Sequence, residues 1–484
     1  MASTKKVSEK NYDLVVIGSG PAGVAAAVQA SKLGNKVVIV EKDSKQLGGA
    51  WLHFGTIPSK TIREVLATVQ NVKPHVGQGW VDRLVSGISS DSLLKRAQSV
   101  SDEEEVLVRK HLENNNIDIV TGFGRVESRN SVRVIPDGGS PFVIPTEKIM
   151  VATGSRPRRP GDVPFDGWRV VDSDGILSLE TMPKSIVIFG AGVIGCEYAC
   201  IFGALGVDTT LVDGRSQIMQ MMDHEMTHAL RKSMESLGVK FILGKGYKGI
   251  RITPSHAALD LEDLTIEAEV CFFAAGRVST TSRLGLEEVG IEMNERGAIL
   301  VNDYFQTAVP SIYAAGDAIG PPALASTSIE QGRIAAGHAF GGSTRKFPKV
   351  FPVGIYTIPE MSSVGMSEEE VVAAGIDYVV GRANYDEVAR GYIRGDSHGL
   401  LKLLVSTKDE KILGIHIVGA DAANLIHIGQ CCMLGDVPCS EIVNSIVFNY
   451  PTLAEAYRVA AFNAINKIPA KKKAKSRSKS SSAA

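Results

Sequence analysis

One pattern, met twice, sets the limits on this chain: an apolar strand running straight into GxGxxG, an apolar helix, a second strand, and an acid at its end. The first copy starts at Tyr12-Asp-Leu-Val-Val-Ile, turns through Gly18, Gly20 and Gly23, and enters an alanine-rich helix. A strand over 36–40 then leads to Glu41, 23 residues beyond Gly18. An unbroken β-branched run reads as a parallel strand buried on both faces. Gly18 permits the tight turn, Gly20 lets the backbone approach a pyrophosphate, and Gly23 lets helix and strand pack closely. The phosphates rest on the helix N-terminus, where unpaired N–H groups favour anions. Glu41 is placed to accept hydrogen bonds from a ribose diol. The second copy runs from Ser185 through Gly190, Gly192 and Gly195 to a strand over 208–212 and Asp213, again 23 residues past its first glycine. The expected fold is therefore α/β, with two Rossmann-like dinucleotide-binding folds, one for a resident cofactor and one for a second nucleotide.

The acid of the second copy has a basic neighbour. Asp213 suits a free ribose 2′-hydroxyl and repels a 2′-phosphate, which favours NAD, while Arg215 can pair with that phosphate and admit NADP. Carrying both predicts tolerance of both nucleotides. A third segment, Asn302–Ala315, ends in Gly316-Asp317. A carboxylate at a strand's C-terminal end lies where α/β sheets bind ligands, so Asp317 is a candidate contact.

At 484 residues the chain exceeds what one core usually organises, and about three domains are expected. No apolar run reaches the length of a membrane span, and the first ten residues, MASTKKVSEK, resemble neither a secretory signal nor a transit peptide. A cytoplasmic protein with no membrane partner is expected. The last fourteen residues carry six basic side chains and no acid, so removing that +6 from the overall −1 leaves the rest at −7. That mildly acidic body gives no case for nucleic acid. The tail itself reads as a solvated end, with a localisation signal or an anionic contact as the other reading. Six cysteines without a CxxC, two of them (Cys196 and Cys200) one helical turn apart, read as buried small hydrophobes. His224-Glu225-Met226-Thr227-His228 matches the zinc signature HExxH but falls where a surface helix of the second nucleotide fold is expected. No further histidine follows at metzincin spacing, so no metal site is expected.

These segments resemble the FAD-dependent pyridine nucleotide–disulfide oxidoreductases: GSGPAG at 18–23, GTIPSK at 55–60, ATGSRP at 152–157, GAGVIGCE at 190–197 and AAGD at 314–317. The resemblance implies FAD on the first glycine turn and near Asp317, and NAD(P) as substrate on the second turn. The cofactor-binding set it implies, for the two nucleotides together, is Gly18, Gly20, Gly23, Glu41, Gly48, Gly49, Thr56, Lys60, Thr153, Gly154, Gly190, Gly192, Gly195, Asp213, Arg215, Gly276, Gly316 and Asp317. Lys60, paired with Glu197, would sit by the reactive flavin nitrogen, and these two are the implied catalytic residues. A split FAD domain (10–157 and 284–348) would flank an NAD(P) domain (158–283). A C-terminal α+β domain (349–468) would form a homodimer, possibly a higher homo-oligomer, and a basic tail (469–484) would follow.

The departures from that family narrow the chemistry. Where family disulfide reductases place two cysteines five apart, this chain has Trp51 and Thr56, which can neither form a thiolate nor open a disulfide. Where they carry His-Pro-Thr-x-x-Glu, it has Tyr450-Pro-Thr-Leu-Ala-Glu455. A phenol is a poor proton shuttle at neutral pH. The closer resemblance is to the soluble, Si-specific pyridine nucleotide transhydrogenases, on GTIPSKTIRE (55–64), QGRIAAG (331–337), GIYTIPEMSSVG (354–365), ILGIHIVG (412–419) and FNYPTLAEAYRVAA (448–461). It implies hydride transfer between NADPH and NAD+ through FAD by double displacement, since only one NAD(P) turn is visible. Two other readings stay open: an NAD(P)H dehydrogenase or oxidase reducing quinone, dye or oxygen, and a non-catalytic nucleotide sensor. Trp51 would either stack beside the flavin or narrow the cavity. His53, the histidine nearest that segment, is a further candidate, as are Tyr450 and Glu455 across a dimer.

Overall fold

The computed structural model describes residues 10–342, 344–396 and 398–469. The basic tail from 470 onward lies outside them. Contacts divide the chain into two units. The first comprises the residues up to Met221, Arg231–Lys349 and Ile355–Ile358, and the second Met222–Leu230, Val350–Gly354 and the residues from Pro359 onward.

In the first unit, β1 (Tyr12–Ile17), α1 (Pro21–Lys32) and β2 (Val37–Glu41) form the first glycine-turn unit. The strand begins one residue later than the pattern suggests and takes in Glu41 itself. Side chains of β1 alternate between two cores: Val15 and Ile17 face one, Leu14 and Val16 the other. Both faces of the sheet are covered, which is why the run is apolar without a break. Beyond β2 come α2 (Thr56–Asn71), α3 (Ser90–Asn114) and β3 (Asp118–Thr121). The order β3-β2-β1 is all parallel and continues into β4 (Phe142–Val151).

A short strand, β5 (Ser155–Pro157), leads into the second nucleotide fold, whose core strands are β6 (Ser185–Phe189), β7 (Asp208–Asp213), β8 (Lys240–Leu243) and β9 (Val270–Phe273). The helix between β6 and β7, α4 (Val193–Ala204), is buried along most of its length and holds Cys196 and Cys200, both fully buried. Strands β8, β7, β6 and β9 pair in parallel in that order. The chain returns through β10 (Arg277–Ser279), antiparallel to β5, and then β11 (Ile312–Ala314), which joins the first sheet beside β4. Helix α5 (Ala325–Ala339) packs against α1 so closely that a Cβ on Gly332 would collide with the Ala22 carbonyl.

The second unit is built on an antiparallel sheet. Met361–Gly365, Ile412–Val418, Leu400–Ser406 and Tyr378–Asn384 pair in that order. Helices Ala422–Leu434 and Glu455–Ile465 cover it, and their buried Ile426, Tyr457 and Ala460 share its core. Among the described residues no helix is long and apolar enough to cross a membrane.

Candidate functional site

The first glycine turn is tightly packed on one side and open on the other. Gly18 has φ +101°, a conformation open to glycine and costly elsewhere. A Cβ on Gly23 would strike the Gly18 carbonyl, whereas one on Gly20 would project into open space at the start of α1. That helix has no side-chain cap, so its first N–H groups remain for a ligand. Glu41 reaches back to the turn and accepts from the Ser19 backbone N–H at 2.9 Å and from the Ser19 hydroxyl. The hydroxyl in turn accepts from the Gly48 N–H at 3.0 Å. Gly49 lies over Gly20, where a Cβ would come within 2.9 Å of the Gly20 Cα. Gly18, Gly20, Glu41, Gly48 and Gly49, scattered over 32 residues of sequence, thus meet at one point. Ser19, fully buried at its centre, was missed by the sequence reading, whose attention fell on the glycines. Nearby in the sheet, Thr153 follows β4 with a buried hydroxyl that has no hydrogen-bond partner among the described residues. A polar atom left bare in this way, together with the open ground at Gly20, fits a bound dinucleotide.

Lys60 and Glu197, 137 residues apart, meet at 2.6 Å. Lys60 lies in the second turn of α2 and Glu197 on α4, where it is almost wholly buried. The other Glu197 oxygen accepts from the Tyr356 N–H at 2.9 Å, and the Lys60 ammonium lies 5.3 Å from the Tyr356 ring centre. The carboxylate is therefore held on both oxygens, and the ammonium is held against it. Tyr356 escaped the sequence reading because it acts through its backbone. Thr56, at the start of α2, contributes its carbonyl to the Ser59 hydroxyl at 3.4 Å.

The second turn repeats the first with a different ending. Gly190 has φ +113°, and a Cβ on Gly195 would collide with the Gly190 carbonyl, while Gly192 is open. Asp213 accepts from the Ala191 N–H at 2.6 Å, from the Arg215 N–H at 2.8 Å and from the Arg215 guanidinium at 2.9 and 2.7 Å. Burial opposes ionisation of this carboxyl, but the guanidinium and the two backbone donors hold it below the usual carboxylate range. Gly276, φ +99°, follows β9 and accepts from the Arg158 N–H at 3.0 Å. Strand β11 stops at Ala314, short of the expected Gly-Asp end, and in the 3-10 turn beyond it (Gly316–Ile319) Gly316 donates to Gln331 at 2.8 Å and Asp317 accepts from the Ser155 hydroxyl at 2.6 Å.

The pyridine nucleotide-disulphide oxidoreductase profile matches residues 12–332, and the profile of that family's dimerisation domain matches 351–461. The chain belongs to this family. It is 44% identical to a soluble pyridine nucleotide transhydrogenase of Mycobacterium bovis over 95% of its length and 98% of the relative's. A protein of the same name from Pseudomonas putida is 40% identical, with 95% and 99% covered. Among solved structures, the HOCl-induced flavoprotein disulfide reductase RclA from Escherichia coli superposes with a TM-score of 0.84 at 26% identity, covering 93% of this chain and 99% of that one.

Within the pyridine nucleotide-disulphide oxidoreductase family, this chain lacks the sulfur pair. Trp51 lines a cleft of about 300 Å³ with Pro21 and Val28 of α1, His111 of α3 and Arg333 of α5. Five of the six cysteines are buried, and burial pushes the Cys200, Cys271 and Cys439 thiols up to about 12. They behave as packed hydrophobes. His53 donates to the Leu47 carbonyl at 3.0 Å. The HExxH residues do begin a helix (His224–Ser236), but Glu225 is engaged by Arg382 at 2.7 Å and Lys402 at 3.0 Å, and His224 by Glu369. Those partners all belong to the second unit, which takes in Met222–Leu230. Among the described residues no group of three His, Cys, Asp or Glu is arranged to hold a metal ion. Tyr450 is exposed, and one Glu455 carboxylate oxygen is buried without a partner among the described residues.

Proposed function

We propose that this enzyme transfers hydride between NADPH and NAD+ through FAD, with the two nicotinamides taking turns at one site. The observation that carries the reading is a fixed Lys60–Glu197 ion pair beside a segment with no redox-active thiol, in a chain whose full-length relatives are named transhydrogenases. FAD, when bound, supplies the group that accepts and returns the hydride. The protein's share is positioning and charge. Residues 18–23, Glu41, Gly48 and Gly49 would hold the cofactor's pyrophosphate and ribose, with Thr153, Gly154 and Asp317 at the C-terminal edge of the same sheet. Gly190, Gly192 and Gly195 would hold the nicotinamide nucleotide, with Asp213 and Arg215 reading its ribose. Lys60, kept in place by Glu197, offers a cation that stabilises negative charge developing beside it.

The same reading assigns 10–157 and 284–348 to the cofactor domain, 158–283 to the nucleotide domain and 349–468 to a homodimer-forming domain, in a cytoplasmic enzyme. Anaerobic stopped-flow spectroscopy tests the function directly. NADPH should bleach the bound flavin and NAD+ should restore its colour, with NADH formed in equal amount. A reduced enzyme that NAD+ leaves bleached and quinone or oxygen reoxidises would establish a dehydrogenase or oxidase instead.

A further inference from the structure

Asp317, in the 3-10 turn Gly316–Ile319 that follows β11, is held by groups from other elements. Its Oδ2 accepts from the Ser155 hydroxyl at 2.6 Å, and that hydroxyl accepts from the Arg277 Nε at 2.9 Å. A second guanidinium nitrogen donates to the Ser155 carbonyl at 2.9 Å. A third lies 3.2 Å from the Ser173 hydroxyl and 3.4 Å from Asp174. Ser155 and Arg277 lie on β5 and β10, whose antiparallel register sets Ser279 opposite Ser155. The Ser279 hydroxyl donates to the Asp317 carbonyl at 2.8 Å.

A serine hydroxyl has one proton to give. With the Arg277 N–H on its lone pair, the Ser155 proton is committed to Asp317, and the cation at the far end polarises the whole chain of bonds. One carboxylate oxygen is thereby pinned. The other has no donor among the described residues and is the atom left for a ligand hydroxyl. We propose that Arg277 is a positioning residue for the cofactor site: through Ser155 it presets the Asp317 carboxylate for an FAD hydroxyl, and through Ser173 and Asp174 it anchors that setting in the neighbouring fold. The inference rests on Asp317 as a cofactor ligand. A preset carboxylate loses less freedom on binding, so the effect is read in cofactor affinity.

The test measures FAD release from the full-length holoenzyme, by flavin fluorescence on dilution, for S155A, R277A, R277K, the S155A/R277A double variant and D317A. Each of S155A and R277A should weaken FAD binding by about tenfold or more, the loss expected when a bond to a charged group goes. The double variant should be no worse than the weaker-binding single, because both act through one chain of bonds. R277K keeps the charge without the forked grip and should bind FAD more weakly than the parent but more tightly than R277A. KM for NADPH should stay within about twofold in S155A, which general damage to the β5–β10 ladder would not spare. Additive losses in the double variant, or parental affinity in S155A and R277A while D317A sheds FAD, would overturn the inference. Full FAD retention by D317A would instead remove Asp317 from the cofactor site, and the inference with it. If R277A does not fold, S155A and R277K decide.

Discussion

Asp213 is spoken for on every side, and this bears on nucleotide choice. Its two oxygens already receive four N–H donors, two of them from the Arg215 guanidinium. A ribose diol can displace the guanidinium and keep the backbone bonds, whereas a 2′-phosphate must draw the guanidinium away from the carboxylate. Arg215→Ala should therefore raise KM for NADPH by about tenfold or more and leave that for NADH within a few-fold. Equal effects on both would refute the assignment, as steady-state kinetics with each nucleotide can show. Lys60→Ala should keep FAD bound and slow flavin reduction or reoxidation by about a hundredfold, the usual cost of removing a preorganised charge. Unchanged stopped-flow rates would take Lys60 out of the chemistry.

The helix pair α1–α5 shows how backbone contact supports the first turn. Gly332 sits against the Ala22 carbonyl, in the first turn of the helix whose N-terminus would receive the phosphates. Gly332→Ala must push that helix aside, at about 1–3 kcal/mol if the core yields as overpacked cores do. The thermal midpoint should fall, and FAD should dissociate more readily. A variant as stable as the parent with intact flavin would show that the contact is slack. The β5–β10 ladder is the other element whose meaning depends on what crosses it, since it brings Arg156 and Val278 into register and with them Ser155 and Ser279.

Over the molecule as a whole, kinetics and pH report on different features. One nicotinamide turn implies double displacement, so double-reciprocal plots at several fixed NAD+ concentrations should be parallel. Intersecting lines would require a ternary complex. In the second unit, Lys402 is buried with Asp223, both essentially without exposure, and Glu225, Glu368 and Arg382 complete the cluster. Burial opposes charge on Asp223, but the neighbouring His416 ring and the Lys402 ammonium hold its carboxyl below the usual range. Glu225 is likewise lowered, against burial, by Arg382 and Lys402. A carboxyl depressed in the folded state adds stability that is complete above its unfolded value, near ~4, and is lost as pH falls through the folded value. Urea midpoints should hold from neutral pH to about 5 and drop steeply below about 4. A flat profile to pH 3 would deny these groups a role. Lys402→Met strands the buried Asp223 charge and should cost about 3–5 kcal/mol, measurable as a lower midpoint at neutral pH.

Much of this was legible in the residue order because the signals are local. Strand, glycines, helix and terminal acid lie within about thirty residues, and close backbone approach admits only glycine where Gly23 and Gly195 stand, so the geometry of both glycine turns could be read directly. The missing thiols at Trp51 and Thr56 were equally plain, and the family likeness joined Lys60 to Glu197. Hydrogen bonds between distant segments leave no such mark. Ser19 under Glu41, Tyr356 behind Glu197, Arg277 acting on Asp317 through Ser155, and the HExxH glutamate drawn to Arg382 and Lys402 each depend on backbone and side-chain atoms brought together by folding. Periodicity and spacing are fixed along the chain, but which polar group satisfies which buried partner is settled only when the sheets close and water leaves.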